Sequence, residues 1–281
     1  MFEKIDQFAV MNILDTIIAY KRSEVEIRKD EMPMAALEKE KLFARQTLSL
    51  KQNLLDETKT GIIAEFKRKS PSKGIINANA DAIEVTKLYT DLGASGLSVL
   101  TDEYFFGGSN EDLIKARVND IPILRKDFIV DDYQIVEARS IGADVILLIA
   151  ACLSPLEVKK LAAFAKTLSL EVLLEIHNEE ELEHLCDEID MIGVNNRDLK
   201  TFEVNIGTSL QLINKIPTNM TAITESGISN AETIVTLKHA GFKGFLIGET
   251  FMKDADPTIA FSKFINQLNF LNGVSKNKLY E

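Results

Sequence analysis

Residues 122–176 read PILRKDFIVDDYQIVEARSIGADVILLIAACLSPLEVKKLAAFAKTLSLEVLLEI. Three short apolar runs stand in it: Pro122–Lys126, Asp144–Ile149 and Glu171–Ile176. Longer stretches of helical spacing separate them, Leu156–Leu168 most clearly. Strand-length runs alternating with helices are the signature of parallel crossover units. Working outward, the same unit recurs. Ile62–Phe66 and Leu97–Thr101 precede this stretch, and Met191–Asn195, Met220–Thr224 and Lys243–Gly248 follow it. Each of the first seven runs leads into a helix-like segment. In Asp81–Leu92, for example, Ile83, Val85, Leu88 and Leu92 form an apolar stripe and Gly93 supplies a stop. Asn230–His239 reads the same way.

Strict alternation implies parallel strands joined by right-handed crossovers. Eight such units imply closure into a single (β/α)8 TIM barrel. The rival is an open doubly wound sheet, which has about six strands and a glycine-rich turn after the first. Here the first strand runs into Lys67-Arg68-Lys69, without GxGxxG. The chain, 1–281, is therefore read as one α/β domain with an N-terminal helical extension (1–60) and a barrel core (61–270). In the extension, Ile13–Arg28 and Met34–Leu48 read as helices. A cap on one barrel end and a cover over the active site are both open readings for them.

Composition narrows the function. With 32 Lys and Arg against 43 Asp and Glu, the net charge is −11. That disfavours nonspecific binding to nucleic acid or anionic lipid. It also makes any local cationic cluster informative. Cys152 and Cys186 are far apart and form no CxxC, as expected of reduced thiols. His177, His184 and His239 show no metal-ligand spacing, so no metal is expected. The longest wholly apolar run, Val145–Leu153, is far short of the ~20 residues a membrane span needs. The N-terminal MFEKIDQ lacks a signal-peptide core. The expectation is a cytoplasmic protein without membrane or nucleic-acid partners, acting as a monomer, with weak self-association as the alternative.

In such barrels the chemistry sits at strand C-termini. Period-2 alternation puts Ile63, Glu65 and Lys67 on one face of the first run. Glu65 lies within the strand pattern, where a charge needs a partner or a ligand. Leu124 and Lys126 share a face of the third run, so Lys126 should enter the barrel mouth. Among apolar walls and other cations its pKa would fall, which suits proton transfer. Glu175 is embedded in the apolar fifth run, while His177 beyond it reads as a loop histidine. Asn195 and Arg197 at the sixth run offer hydroxyl and forked anion contacts. The glycine-bearing turns Glu225-Ser226-Gly227 and Gly248-Glu249-Thr250 follow the seventh and eighth runs, where barrels often seat phosphate. The Glu249 side chain would have to point away from a phosphate. The sum is a phosphosugar enzyme with acid–base chemistry.

Eight segments together resemble the indole-3-glycerol-phosphate synthase family: IIAEFKRKSPSKG (62–74), LSVLTDEYFFGGS (97–109), PILRKDFIVDDYQI (122–135), ADVILLIA (143–150), LLEIH (173–177), IGVNNRDLKTFEV (192–204), TESGIS (224–229) and FLIGETFM (245–252). ILDTIIAYKRSEVEIRK (13–29) resembles the family's extra helix. The resemblance implies closure of the indole ring of 1-(2-carboxyphenylamino)-1-deoxy-D-ribulose 5-phosphate, with loss of CO2 and water and without a cofactor. It implies Lys126 as general acid and Glu175 as general base of the dehydration. Lys67 would hold the substrate carboxylate and share the acid duty of the second step, and Glu65 would orient the lysines. Asn195, Arg197 and Glu225 would line the site, with Asn195 and Glu225 near sugar hydroxyls. Ser226, Gly227, Gly248 and the Glu249 backbone would seat the phosphate. Ser70 and Phe106 would meet the anthranilate end, and Leu147 would be part of the apolar wall. The nearest rival, a phosphoribosylanthranilate isomerase, needs an aspartate–cysteine pair, and no cysteine stands at the right strand end. A catalytically dead barrel would have been expected to lose Lys126 or Glu175.

Overall fold

The computed structural model describes residues 12–199 and 201–273. The first eleven residues of the extension lie outside this range. Eight strands form the barrel: β1 (Ile62–Phe66), β2 (Gly96–Leu100), β3 (Ile123–Lys126), β4 (Val145–Ile149), β5 (Glu171–Ile176), β6 (Met191–Asn195), β7 (Thr221–Glu225) and β8 (Gly244–Ile247). Every neighbouring pair is parallel, and β8 returns to β1 through Ile62↔Phe245 and Ala64↔Ile247. The expected runs match these strands to within a residue at each end. Among the described residues no helix is long and apolar enough to cross a membrane.

The strands are buried on both faces, which is why they read as almost continuous apolar runs. Inward-facing Ile63, Leu124, Leu147, Leu173, Ile223 and Leu246 form one cluster inside the barrel. Outward-facing Ile62, Leu97, Val99, Ile146, Leu148 and Val172 belong to a second cluster shared with the surrounding helices. Local signals start the helices where they are needed. Ser154 and Glu157 form a capping box ahead of Pro155–Thr167. Asn230 caps Ala231–Ala240, which ends on Gly241 at φ 119°, a left-handed position that favours glycine.

Two expected helices are corrected. Met34–Leu48 is not one helix: Met34–Leu37 is helical, turns follow, and a new helix spans Leu50–Leu55. The barrel bottom explains the break. Arg45 and the Leu48 amide both bind Asp144, and the Ser49 hydroxyl and the Leu50 and Lys51 amides bind Glu171. These contacts replace the helical hydrogen bonds the segment gives up. They also drive Leu50 and Leu54 into the barrel floor, against Gly96 and Gly244, where a Cβ would crowd them. The second correction lies after β5. The fourteen residues before β6 hold only a 3-10 turn, Glu180–His184, in place of a full helix.

The first helix, α1 (Ile13–Glu31), lies over the opposite end of the barrel. Its Lys21 is buried and pairs with Asp102 after β2 at 2.9 Å and with Asp127 after β3 at 3.0 Å. The extension therefore does both jobs left open by the sequence: α1 covers the C-terminal mouth, and residues 45–55 plug the floor.

Candidate active site

One cavity of about 390 Å³ opens at the C-terminal ends of the strands. All fourteen residues singled out from the sequence line it. Its deepest charged layer comes from alternate strands: Glu65 on β1, Lys126 on β3, Glu175 on β5 and Glu225 on β7. Inward positions of alternate strands share a layer in a closed barrel. Leu147 and Leu246 from the even strands wall the cavity beside this layer, and β6 contributes Gly193 there. A Cβ on Gly193 would collide with Glu225 Oε1, so the glycine makes room for the carboxylate.

Lys126 is the hub. Its Nζ lies 2.7 Å from Glu175 Oε2 and 2.6 Å from Glu225 Oε2. Beside it, Lys67 Nζ donates to Glu65 Oε1 at 2.5 Å. Alternation sends the flanking residues the other way. Arg68 turns outward to a two-pronged contact with Asp112, and Arg125 is buried against Asp127 and Glu137. Asn195 donates to Glu175 Oε1 at 3.1 Å and accepts from the Arg197 amide at 3.0 Å.

The electrostatics correct one expectation. Burial opposes a charge on Lys126, but Glu175, Glu225 and Glu65 together outweigh it and raise its pKa. The lysine is surrounded by carboxylates, not cations, and is held protonated. Burial also raises carboxyl pKa values, yet Lys126 and His177 hold Glu175 well below the usual range. Glu225 goes the other way, pushed up to about 7 by burial and by Glu175 despite its contact with Lys126. The ring thus contains a fixed acid, a fixed carboxylate and one group that titrates near neutrality.

Farther out, Phe106 packs on Phe128 at 5.9 Å to form an aromatic wall, with Ser70 beside the β1 loop. Asp102 holds Phe106 by accepting its amide at 3.1 Å, so Lys21, Asp102 and Phe106 connect α1 to this wall. Ile13, Leu14 and Ile17 of α1 complete the apolar side. These three were not singled out from the sequence, because nothing local shows that α1 folds over the mouth. Phe128 was also missed, although it follows Lys126 and Asp127 directly.

At the opposite side, Ser226 and Gly227 both adopt left-handed conformations, at φ 65° and 78°. A non-glycine residue there is strained and is characteristic of functional turns. Gly248 sits at the end of β8, where a Cβ would strike Glu65. Glu249 departs from expectation. Its side chain faces the mouth, 3.2 Å from Arg197 Nη2 and 3.6 Å from Lys73 Nζ. The positive charges of Arg197 and Lys73 at the rim draw it in. Among the described residues no three or more His, Cys, Asp or Glu are grouped to hold a metal ion.

The family model for indole-3-glycerol phosphate synthase matches residues 14–264. The chain belongs to the indole-3-glycerol phosphate synthase family. With membership goes the activity, a carboxy-lyase step of tryptophan biosynthesis. An indole-3-glycerol phosphate synthase of Bacteroides thetaiotaomicron is 46% identical over 258 residues, covering 92% of this chain and 99% of the relative. One of Salinibacter ruber is 42% identical over 257 residues, covering 90% and 95%. Among solved structures, a chain of the tryptophan synthase a2b2 complex of Pyrococcus furiosus aligns with a TM-score of 0.57 at 14% identity, over 74% of this chain and 97% of that one. At that identity it speaks for the barrel fold alone.

Proposed function

We propose that this cavity converts 1-(2-carboxyphenylamino)-1-deoxy-D-ribulose 5-phosphate to indole-3-glycerol phosphate with Lys126 as the acid of ring closure and Glu175 as the base of dehydration. The observation that carries the reading is the contact of one partly buried ammonium with two buried carboxylates, Glu175 and Glu225, at the floor of an apolar-walled cavity. In the first step the aromatic carbon bearing the carboxylate attacks the ribulose carbonyl. The carbonyl π pair takes the proton of Lys126. A fixed ammonium stabilises the developing alkoxide better than water, because it needs no reorganisation. The bond to the carboxylate then breaks, its electrons restore the aromatic ring, and CO2 leaves. In the last step the new hydroxyl departs as water with a proton from Lys67. Glu175 removes the ring proton as the indole double bond forms.

The remaining groups bind and orient. Lys67 starts paired with Glu65 and exchanges that contact for the substrate carboxylate. Phe106 and Leu147 face the anthranilate ring, with Ser70 at its edge. Asn195 and Glu225 meet the sugar hydroxyls. The turns Ser226-Gly227 and Gly248-Glu249 seat the phosphate, with Arg197 as its forked cation. The Glu249 side chain pairs with that cation, so the phosphate displaces it while using the Glu249 backbone. Nothing in these steps calls for an organic cofactor. A phosphorylated biosynthetic substrate fits a cytoplasmic enzyme, and a cavity built within one chain fits a monomer.

The test is to incubate the purified protein with the carboxyphenylamino-deoxyribulose phosphate and follow indole fluorescence together with CO2. Both signals should rise in equal amounts. Folded protein that yields neither would overturn the reading.

A further inference from the structure

The proposed steps leave His177 unused. It follows β5 immediately, and its side chain is partly buried, less so than that of Glu175. Its Nε2 lies 3.4 Å from Glu175 Oε1, and its Nδ1 lies 3.3 Å from Glu181 Oε2. The His177 backbone amide donates to the same Glu181 oxygen at 2.7 Å. Glu181 is itself held by Asn178, which donates to Oε1 at 3.0 Å and accepts the Glu181 amide at 3.1 Å. The imidazole thus stands between two carboxylates: it bonds Glu181 in the loop and lies within ion-pair range of Glu175 in the reaction ring without a hydrogen bond to it.

We infer that His177 is a positioning residue whose charge keeps Glu175 ionised while Lys126 is without its proton. This rests on the reading of Lys126 as acid and Glu175 as base. Before the reaction, Lys126 supplies the positive charge that Glu175 needs. Once that proton has moved to the substrate, the buried Glu175 faces Glu225 across the ring, Asn195 on β6 and the neutral Cys152 thiol after β4. Without a second cation Glu175 would take up a proton and cease to be a base. His177 supplies that cation. Burial lowers its pKa, but Glu175 and Glu181 raise it to about 10, so it stays charged at neutral pH. The short loop after β5 gives the arrangement its rigidity, because the 3-10 turn Glu180–His184 brings Glu181 back over the end of its own strand.

The test reads the Glu175 carboxyl directly. Carbon-13 NMR of glutamate carboxyl groups is followed against pH in the wild type, in Glu175→Gln to assign the signal, in His177→Gln and in Glu181→Gln. His177→Gln keeps an amide donor and removes the charge. It should raise the Glu175 titration by at least ~1 pH unit and move the acid limb of kcat in the same direction. Glu181→Gln removes a negative charge while the imidazole stays charged over the range in which Glu175 titrates, so it should not raise that titration. An unchanged Glu175 titration in folded His177→Gln overturns the inference. If that variant does not fold, an unchanged titration in folded His177→Asn does so. A wild type that makes no indole would sink the Lys126 and Glu175 assignments instead, while the NMR shift still reports on His177.

Discussion

Lys126 Nζ stands 2.7 Å from Glu175 Oε2, so the acid and the base of the proposed sequence begin as an ion pair. The pairing sets the order of events. Lys126 is poised to donate first, and Glu175 stays ionised until the second half of the reaction. A carboxylate tied to the acid that acts before it cannot take a proton early.

The two halves should therefore separate in Glu175→Gln. Ring closure and CO2 release depend on Lys126, while indole formation depends on the carboxylate. In a single turnover, CO2 release should stay within ~10-fold of wild type, and indole formation should fall by at least ~10²-fold, the low end for general base catalysis. Equal slowing of both signals would contradict the assignment.

Arg197 is the cation that Glu249 now occupies. Arg197→Met should raise KM by about 10- to 100-fold, the worth of one charge-assisted contact. The effect on kcat should be smaller, since the phosphate does not react. Steady-state kinetics would show an unchanged KM if Arg197 does not meet the phosphate.

Lys21 tests the coupling of α1 to the mouth. Lys21→Met takes the ammonium away from buried Asp102 and leaves Asp127 with Arg125 alone, and should cost about 3–5 kcal/mol in urea denaturation at pH 7. Burial raises the Asp127 pKa, but Lys21 and Arg125 together pull it down to about 2. A lowered carboxyl pKa contributes stability above its unfolded value, near ~4, and loses it as pH falls toward 2. The gap between wild type and variant should be full at neutral pH and narrow below about pH 4. A gap under ~1 kcal/mol at pH 7 would mean an ordinary surface-like pair.

Gly193→Ala should damage activity more than folding. The added methyl strikes the far end of Glu225 and comes within 3.3 Å of Leu173 Cδ1; both are ends of side chains that can shift, and the closer clash, with Glu225, puts the main cost on the geometry of the ring. The expected result is a loss of kcat of about tenfold or more, set by displacement of a group in the reaction layer, with little change in Tm. Full activity would show that Glu225 need not sit where Gly193 allows it.

Much of this site is legible in the sequence, and for a physical reason. Strand alternation is local, so Glu65, Lys67, Lys126 and Glu175 could be assigned to the mouth from a few neighbouring residues. What surrounds each charge is not local. The partners of Lys126 stand 49 and 99 residues away, on β5 and β7. The sequence therefore pointed to a lowered lysine pKa where carboxylates from other strands raise it. The break in Met34–Leu48 was hidden for the same reason, since Asp144 and Glu171 satisfy that backbone from distant strands. An outward Glu249 follows from repulsion by a phosphate alone, while the distant Lys73 and Arg197 draw the side chain inward.

The central claim is that Lys126 supplies the proton of ring closure. The most direct measurement is rapid-quench single-turnover analysis of Lys126→Met beside wild type, with circular dichroism to establish the fold. The account predicts that CO2 release and indole formation both fall by at least ~10²-fold, because the first bond no longer forms. A folded Lys126→Met that releases CO2 at the wild-type rate would contradict it.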